Sequence, residues 1–458
     1  MPSPLPLDQK LIDALRHAGP EADEQRRALL RERRVLFVMG SYAGKRKLHE
    51  RARELGVRMS VLDGPGHWAA SAPELFEQFI EVDLAGRETL LQRALAAIHA
   101  TGLRFDAVAT FEEFGGPLAA IIADHLHLPG HPPYAVGAAR HKAFTRETCR
   151  DAGIPTPRFA RLFSADDLET AAAEVGFPAV LKPVSGVASL AVYRVTSMAE
   201  LRQRYDQNTL QAQQDSGASG VTSDNDPALT ALTWGGGAEM LLEEFLDGEE
   251  FDVDCLLCEG ELVYANLVRD LPQLYMVEVG SQIPPNFPEQ RQAELVELAR
   301  QVLAALGFRA GAFHVEVKYT SAGPRLIEVN ARIGGGPVWD LHRRVWSVDL
   351  AEQYLMVQLG IPIRPAPAAQ PLAYVITSDL PAPITGTITR DDFLAHLAGR
   401  PEVIAAYPKV RPGQRVIGSD SGVPEWLGEI IVQGESVAHA EQLMAAILAA
   451  LELPILPD

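Results

Sequence analysis

Basic residues are in short supply in this chain. Its 458 residues carry 41 lysines and arginines against 60 aspartates and glutamates, a formal net charge of −19. Such a surface repels phosphate backbones, so a nucleic-acid partner is not expected, although a local basic pocket stays open. Cysteine is scarcer still: Cys149, Cys255 and Cys258 are the only three. An odd, sparse set builds no disulfide framework. Cys255 and Cys258 form a CxxC, but in the strand-like run FDVDCLLC they fall on opposite faces. No second pair exists to complete a zinc site, so small buried side chains are the expectation. No apolar run is long enough to span a bilayer, and the N-terminus has an early acid and no signal-type core. A cytoplasmic location without a membrane partner follows as the expectation. What the chain has is an ordinary soluble composition, 47% hydrophobic and 22% charged, and a length suited to two to four domains.

Strand-like and helix-like runs alternate over the first third. RVLFVM (34–39), the run 57–62 and the run 105–110 read as strands; 47–55 and 87–101 read as helices. That alternation predicts a parallel α/β sheet over residues 34–138, preceded by a helical arm over 1–33. The loop GSYAG after the first strand is no GxGxxG and carries no dinucleotide signal. His125, His127 and His131 form an HxHxxxH cluster, but they sit before a Pro-rich turn without a partner acid downstream. Helix-end and loop histidines are the better reading. Beyond 138, a helix over 141–153 ends on a glycine, and FPAVLKPV (177–184) and 190–195 read as strands. Residues 204–237, rich in Gln, Asn, Ser, Asp and Gly, read as a flexible insertion within a domain spanning 139–363. Strands over 240–246 and 251–257 and an amphipathic helix over 288–306 follow. A Pro/Ala linker near 364 leads to a small α+β tail, 364–458.

Three constellations carry chemistry. The strongest is FHVEVKYTSAGPRLIEVNARIGGG (313–336), two alternating runs joined by a turn. His314, Glu316 and Lys318 share one face of the first strand; Glu328 and Asn330 share a face of the second, opposite Ile327 and Val329. Two carboxylates and an amide converging on one point hold Mg²⁺ while leaving positions for phosphate oxygens; Mn²⁺ would accept the same ligands. The second is Lys182, embedded in an apolar strand. Its ammonium either neutralises phosphates under the Ser185–Gly186 loop or snorkels to the surface. The third is EEFLDGEE (243–250), either an adenine hinge followed by a ribose-binding acid or a hairpin with an acidic tip.

Strand lysine, acidic hinge and paired carboxylates with Asn, in that order, resemble the ATP-grasp superfamily over residues 140–350. GPRLIEVNARIGGG resembles its carnosine synthase and L-amino-acid ligase branch. The resemblance implies two α+β lobes with antiparallel sheets clamping ATP, behind an N-terminal α/β domain. It implies phosphate contacts from Lys142 and Lys182 and from the loop with Ser185, Gly186 and Ser189. Glu243 and the backbone at Phe245 and Leu246 match the adenine hinge, and Glu250, or neighbouring Glu249, the ribose acid. Glu316, Glu328 and Asn330 match the magnesium ligands. Arg332 matches the arginine that steadies the transferring group, and Arg269 lies where some relatives place another phosphate-binding cation. Gly334, Gly335 and Gly336 match a loop beside the substrate. His314 stands where some other ligases carry arginine and either touches substrate or is structural. Glu112 and Glu113, past a strand end, either cap the next helix or, for Glu113 above all, hold a substrate amino group; Asp340 and His342 are weaker candidates. The loop SGVASLAV has one glycine, with Ala191 where relatives often have glycine.

The implied activity is ligation of an amino acid or similar carboxylate to an amine through an acyl-phosphate, with ATP consumed to ADP and phosphate, in small-molecule or dipeptide synthesis. The resemblance also brings the homodimer as an expected assembly. A non-amino-acid carboxylate in a metabolite pathway and a non-catalytic ATP-binding regulator are the alternatives.

Overall fold

The computed structural model describes residues 9–85, 89–186, 191–215, 239–272, 274, 278–420 and 424–458. Its first sheet is parallel, built from β1 (Arg34–Val38), β2 (Arg58–Asp63), β3 (Gln78–Glu81) and β4 (Ala107–Ala109) in the order β3-β2-β1-β4. β1 is buried on both faces, as its unbroken apolar run requires. The order reverses direction at β1, so the loops leaving β1 and β4 open side by side at the carboxyl edge of the sheet. Helices Gln9–Leu15 and Pro20–Leu30 form the N-terminal arm; Leu15 and Leu30 join the same core as Val35 and Phe37.

A small antiparallel sheet follows: β5 (Phe159–Leu162), β6 (Ala179–Pro183), β7 (Tyr193–Val195) and β8 (Met240–Glu244), ordered β5-β8-β6-β7. Alternation sorts its side chains. Ala179, Leu181 and Leu242 enter the lobe's own core with Leu168 and Val175, while Val180 and Lys182 take the other face. The expected insertion begins differently from its composition: Met198–Asp215 is one helix, anchored by buried Leu201 and Tyr205. The remainder of that expected insertion, 216–237, lies outside the described residues, as does Ser189.

The second lobe holds β9 (Glu249–Cys258), β10 (Glu261–Asp270), β11 (Ser281–Ile283), β12 (Gly311–Thr320) and β13 (Gly323–Asn330). One face packs on the helix Glu289–Ala305. Its Leu295, Leu298, Ala299 and Val302 recur at helical spacing and cover Phe313, Val315, Val317 and Val329. Each such fully buried side chain stabilises the lobe by about 2 kcal/mol. The other face is polar and looks into the interlobe cleft. The tail contributes β14 (Tyr374–Pro381), β15 (Gly386–Ile388), β16 (Val403–Pro408), β17 (Arg415–Val416), β18 (Trp426–Gly434) and β19 (Ile455–Pro457). Here the structure differs from a separate tail domain. β14, β18 and β16 extend the lobe's own sheet, in the order β13-β12-β9-β10-β11-β14-β18-β16. Pairing of Ile283 with Val375 gives β11 a partner in the tail, so the ladder continues where the Pro/Ala composition suggested a break. Cys255 and Cys258 enter different cores and all three cysteines are free and buried, as alternation across a strand dictates. The half-buried His131 packs its ring against Phe308 and Phe313, with both ring nitrogens out of reach of solvent. Among the described residues no helix is long and apolar enough to cross a membrane.

Candidate functional site

The cleft between the lobes, about 590 Å³, draws its walls from all parts of the fold. On its floor, β12 and β13 pair antiparallel with Glu316 directly opposite Glu328 and His314 opposite Asn330. The polar faces therefore coincide. A bulge follows Glu316, so Val317 faces Leu326 and Ile327 is the extra residue. That corrects the simple alternation: Ile327 lines the cleft beside Glu328, and Leu326 takes its expected place in the core.

From the other side, the helix Lys142–Asp151 docks its first turn on the end of β6, where the Lys142 amide donates to the Val184 carbonyl at 2.8 Å. Lys142 Nζ lies 3.0 Å from Glu328 Oε1. One turn on, Arg146 Nε donates to Glu243 Oε1 at 2.7 Å, and its Nη2 donates to the Ile327 carbonyl at 2.6 Å. Lys182 Nζ sits 2.6 Å from Glu243 Oε2. Three buried cations thus meet two carboxylates in an otherwise acidic protein. Burial lowers the Lys182 pKa against the pull of Glu243, with Arg146 and Lys142 adding to the lowering. A group of phosphates would relieve that crowding.

This arrangement revises the hinge. The Glu243 carboxylate is held between Lys182 and Arg146, so its side chain serves the cations and not an adenine edge. The Phe245 amide donates to the Pro178 carbonyl at 3.2 Å, leaving the Leu246 stretch as the remaining hinge backbone. Glu250 lines the cleft opposite Lys318, whose Nζ lies 3.4 Å away; burial raises the Glu250 carboxyl despite Lys318. Glu249 turns outward and pairs with Arg269 Nη2 at 2.7 Å. That contact and the register of β10 overturn the assignment of Arg269 as a catalytic cation. Arg269 stands opposite Phe251, on the core-facing side of the sheet, while Val268 and Asp252 take the opposite face.

Arg332 is brought to the cleft by the turn after β13. Its Nε donates to Glu113 Oε2 at 2.7 Å, and Arg140 Nη1 approaches Glu113 Oε1 at 3.4 Å. Both oxygens of Glu113 face arginines, so it orients Arg332 where a helix cap or a hold on a substrate amino group was expected. Burial opposes the charge of Arg332, and Glu113, Glu316 and Glu112 together more than restore it. Gly186 borders the cleft, and its carbonyl accepts from Arg140 at 3.0 Å; Ser185 beside it is buried and does not line the cleft. Ala191 sits at φ +60, the left-handed conformation for which relatives' glycine is suited. Gly335 lines the cleft; Gly336 has φ +52. A Cβ on Gly334 would stand 2.8 Å from His314 Nδ1, so only glycine lets that turn close over the histidine.

Sequence reasoning missed the residues behind this floor. Asp252 stands opposite Glu316 and Asp254 opposite His314. His314 Nδ1 meets Asp254 Oδ1 at 2.8 Å, His342 Nε2 meets Asp254 Oδ2 at 2.9 Å, and Tyr264 Oη meets His342 Nδ1 at 2.7 Å. Despite its burial, the two histidines hold the Asp254 carboxyl well below the usual carboxylate range. Burial and then Asp270 push the Asp252 carboxyl well up. The alternation of FDVD with Glu250 carried this signal. Arg146 was equally legible, four residues after Lys142 and so on the same helix face. Asp340 turns away to Arg344 at 2.7 Å.

The carboxylate pair fits a divalent cation. Burial and then Glu328 push Glu316 up to about 8, while Lys142 keeps Glu328 low against its burial. Among the hydrogen bonds of the described residues, the Asn330 amide alone donates to Glu316, at 3.1 Å. Two facing carboxylates with one lysine want further positive charge, and their oxygens suit a hard ion. Among the described residues no three His, Cys, Asp or Glu side chains form a ready cage. The set is partial, as it should be if substrate oxygens complete it.

The N-terminal sheet, the interlobe cleft and the antiparallel lobes match known families. An ATP-grasp domain matches residues 175–339, and an ATP-grasp N-terminal domain matches residues 49–130.

The chain belongs to the ATP-grasp superfamily.

Among curated proteins, this ATP-grasp chain is 33% identical over 350 residues to carnosine synthase 1 of Gallus gallus. That match covers 73% of the chain but 36% of the relative, so the chain spans about a third of the synthase's length. Among solved structures, an L-amino acid ligase from Bacillus licheniformis aligns with a TM-score of 0.77 at 22% identity, covering 93% of this chain and 99% of that one. The biotin carboxylase domain of the Hydrogenobacter thermophilus 2-oxoglutarate carboxylase, solved with MgADP, ADP and bicarbonate, aligns with a TM-score of 0.67 at 15% identity, covering 92% and 90%. These structures share the ATP-grasp fold of the chain.

Proposed function

We propose that this ATP-grasp chain is a carboxylate–amine ligase: it joins an amino acid or similar carboxylate to an amine, with ATP converted to ADP and phosphate. The observation that carries the reading is Glu316 opposite Glu328 with Lys142 and Lys182 closing on the same cleft from the other lobe. Relatives in the carnosine synthase and L-amino acid ligase branch support it.

A free carboxylate acylates poorly because oxide is a poor leaving group. Attack of its oxygen on the γ-phosphorus of ATP breaks the bond to ADP and forms an acyl-phosphate. The amine then forms the C–N bond, phosphate departs, and the amine gives up a proton. The protein's part is placement and charge. Lys142 and Lys182 neutralise phosphate oxygens, with Arg146 and Glu243 fixing where Lys182 points. The Leu246 stretch borders the base and Glu250 receives the ribose hydroxyls. Glu316, Glu328 and Asn330 would hold Mg²⁺, which supplies charge neutralisation of the phosphates. Arg332, held by Glu113, faces the charge that grows on the transferring group. Enclosure by the two lobes keeps water from the acyl-phosphate. A cytoplasmic setting, where thiols stay reduced, suits three free cysteines.

The test is phosphate release from ATP and Mg²⁺ with a panel of amino-acid pairs, with mass spectrometry for new amides. Release should require both a carboxylate and an amine and should accompany an amide. Equal release with ATP alone, or none with any pair, removes the ligase reading.

A further inference from the structure

One end of the cleft remains unused by this reading. It lies where the loops after β1 and β4 meet, at the reversal in strand order of the N-terminal sheet. Open α/β sheets bind ligands at that place because two loops diverge there and leave a crevice. The β1 loop is tightly constrained. Met39 and Ser41 both adopt positive φ, +60 and +63, a cost that persists only where surrounding contacts enforce it. Trp68 Nε1 donates to the Ser41 carbonyl at 2.7 Å, and Ser41 Oγ donates to Glu112 Oε2 at 2.6 Å. These contacts fix the short turn that ends in Lys45.

Lys45 is 5% exposed, yet it lines the cleft. Among the hydrogen bonds of the described residues, one of its three N–H groups goes to the Phe111 carbonyl. The neighbouring acids are already engaged. Glu112 accepts from Ser41 and from the Glu113 amide at 2.9 Å, and Glu113 faces Arg332 and Arg140. Arg332 acts on Lys45 as a like charge; burial and then Arg332 lower the lysine to about 7. Two cations from different domains are thus brought to one end of a cleft, with local acids committed elsewhere. An anion placed there would be held by both.

We propose that Lys45, with Arg332, forms the anchor for the substrate carboxylate at the β1–β4 crevice, so that the N-terminal domain supplies a binding residue for the acyl donor. The inference rests on the ligase reading and deepens it. The class of ligand is a small carboxylate, retained as its acyl-phosphate, and the phosphate-binding lysines Lys142 and Lys182 line the same cleft.

The test uses the full chain and a carboxylate–amine pair that turns over in the panel. Lys45→Gln removes the charge and keeps a donor for the Phe111 carbonyl; Lys45→Arg keeps the charge. The Gln variant should raise KM for the carboxylate about tenfold or more, as loss of a charged hydrogen bond does, with KM for ATP and the melting temperature little changed. The Arg variant should recover part of the loss. An unchanged carboxylate KM, or an equal rise for ATP, overturns the proposal while leaving the ligase reading intact. No turnover on any pair overturns both. Should the Gln variant not fold, amine labelling of the wild-type protein decides, read by mass spectrometry. The carboxylate should protect Lys45 relative to Lys10; equal labelling with and without it overturns the proposal.

Discussion

Lys142 Nζ rests 3.0 Å from Glu328 Oε1, so a helix from one side of the cleft and a strand from the other are tied through the two groups that nucleotide binding would separate. The lysine compensates the carboxylate; in the proposed ligase, phosphates and a cation would replace it. Among the described residues Glu316 pairs with no lysine, and burial and then Glu328 lift its carboxyl.

This pairing predicts that Glu316→Ala and Glu328→Ala each abolish turnover to about the same degree, since carboxylates sharing one ion act as a unit. Phosphate release should fall by at least about a hundredfold with circular dichroism unchanged. Activity retained in either variant would remove the pair from the site.

Glu243 is buried between two buried cations, Arg146 and Lys182. Arg146→Met should destabilise the protein by about 3 kcal/mol, because it leaves Glu243 in the interior with one counter-ion. Thermal melting should show a drop of several degrees, and a melting point within one degree of wild type would contradict this account.

Arg269 tests the opposite expectation. It faces away from the cleft and pairs with Glu249. Arg269→Ala should leave kcat and KM for ATP within about twofold, as a partly exposed ion pair contributes little. A loss of catalysis of a hundredfold would restore it to the site.

Gly334→Ala places a Cβ 2.8 Å from His314 Nδ1, a ring already fixed by Asp254. The clash should cost about 1 to 3 kcal/mol in stability and lower kcat by displacing the turn that carries Arg332. Unchanged melting and kinetics would show that the turn adapts freely.

Burial holds His131 neutral down to about 4, only partly offset by the Ala310 backbone, against 6.5 in its unperturbed state. Between those values the unfolded chain binds the extra proton, so stability rises with pH and is lost as pH falls from 6.5 toward 4. The size is about 3 kcal/mol. His131→Leu should flatten that part of the melting-temperature profile, and an unaltered slope would sink the assignment.

Much of the site was legible in the sequence. Period-two alternation put Glu316 on one face of its strand and Glu328 with Asn330 on one face of the next, because side-chain direction in a strand is a local property; the register of the pair made those faces coincide. A lysine inside VLKPV had to find a partner, and it did. Two errors came from the same source. Ile327 was assigned to the wrong face because a one-residue bulge cannot be seen in either strand alone. Glu243 was given to adenine because its partner Arg146 lies on a helix nearly a hundred residues earlier. Composition also misled at Met198–Asp215, where buried Leu201 and Tyr205 keep a polar stretch helical.

The sequence by itself determined the order of the parts, the parallel first sheet, the acidic pair and the embedded lysine, since each follows from local periodicity and from the cost of burying charge. Tertiary structure alone decided that β14 extends the second lobe's sheet, that Glu113 binds Arg332 and that Lys45 reaches the cleft. Those outcomes depend on which distant backbone edges find one another and which charges become neighbours, and neither is encoded within the span of a single element.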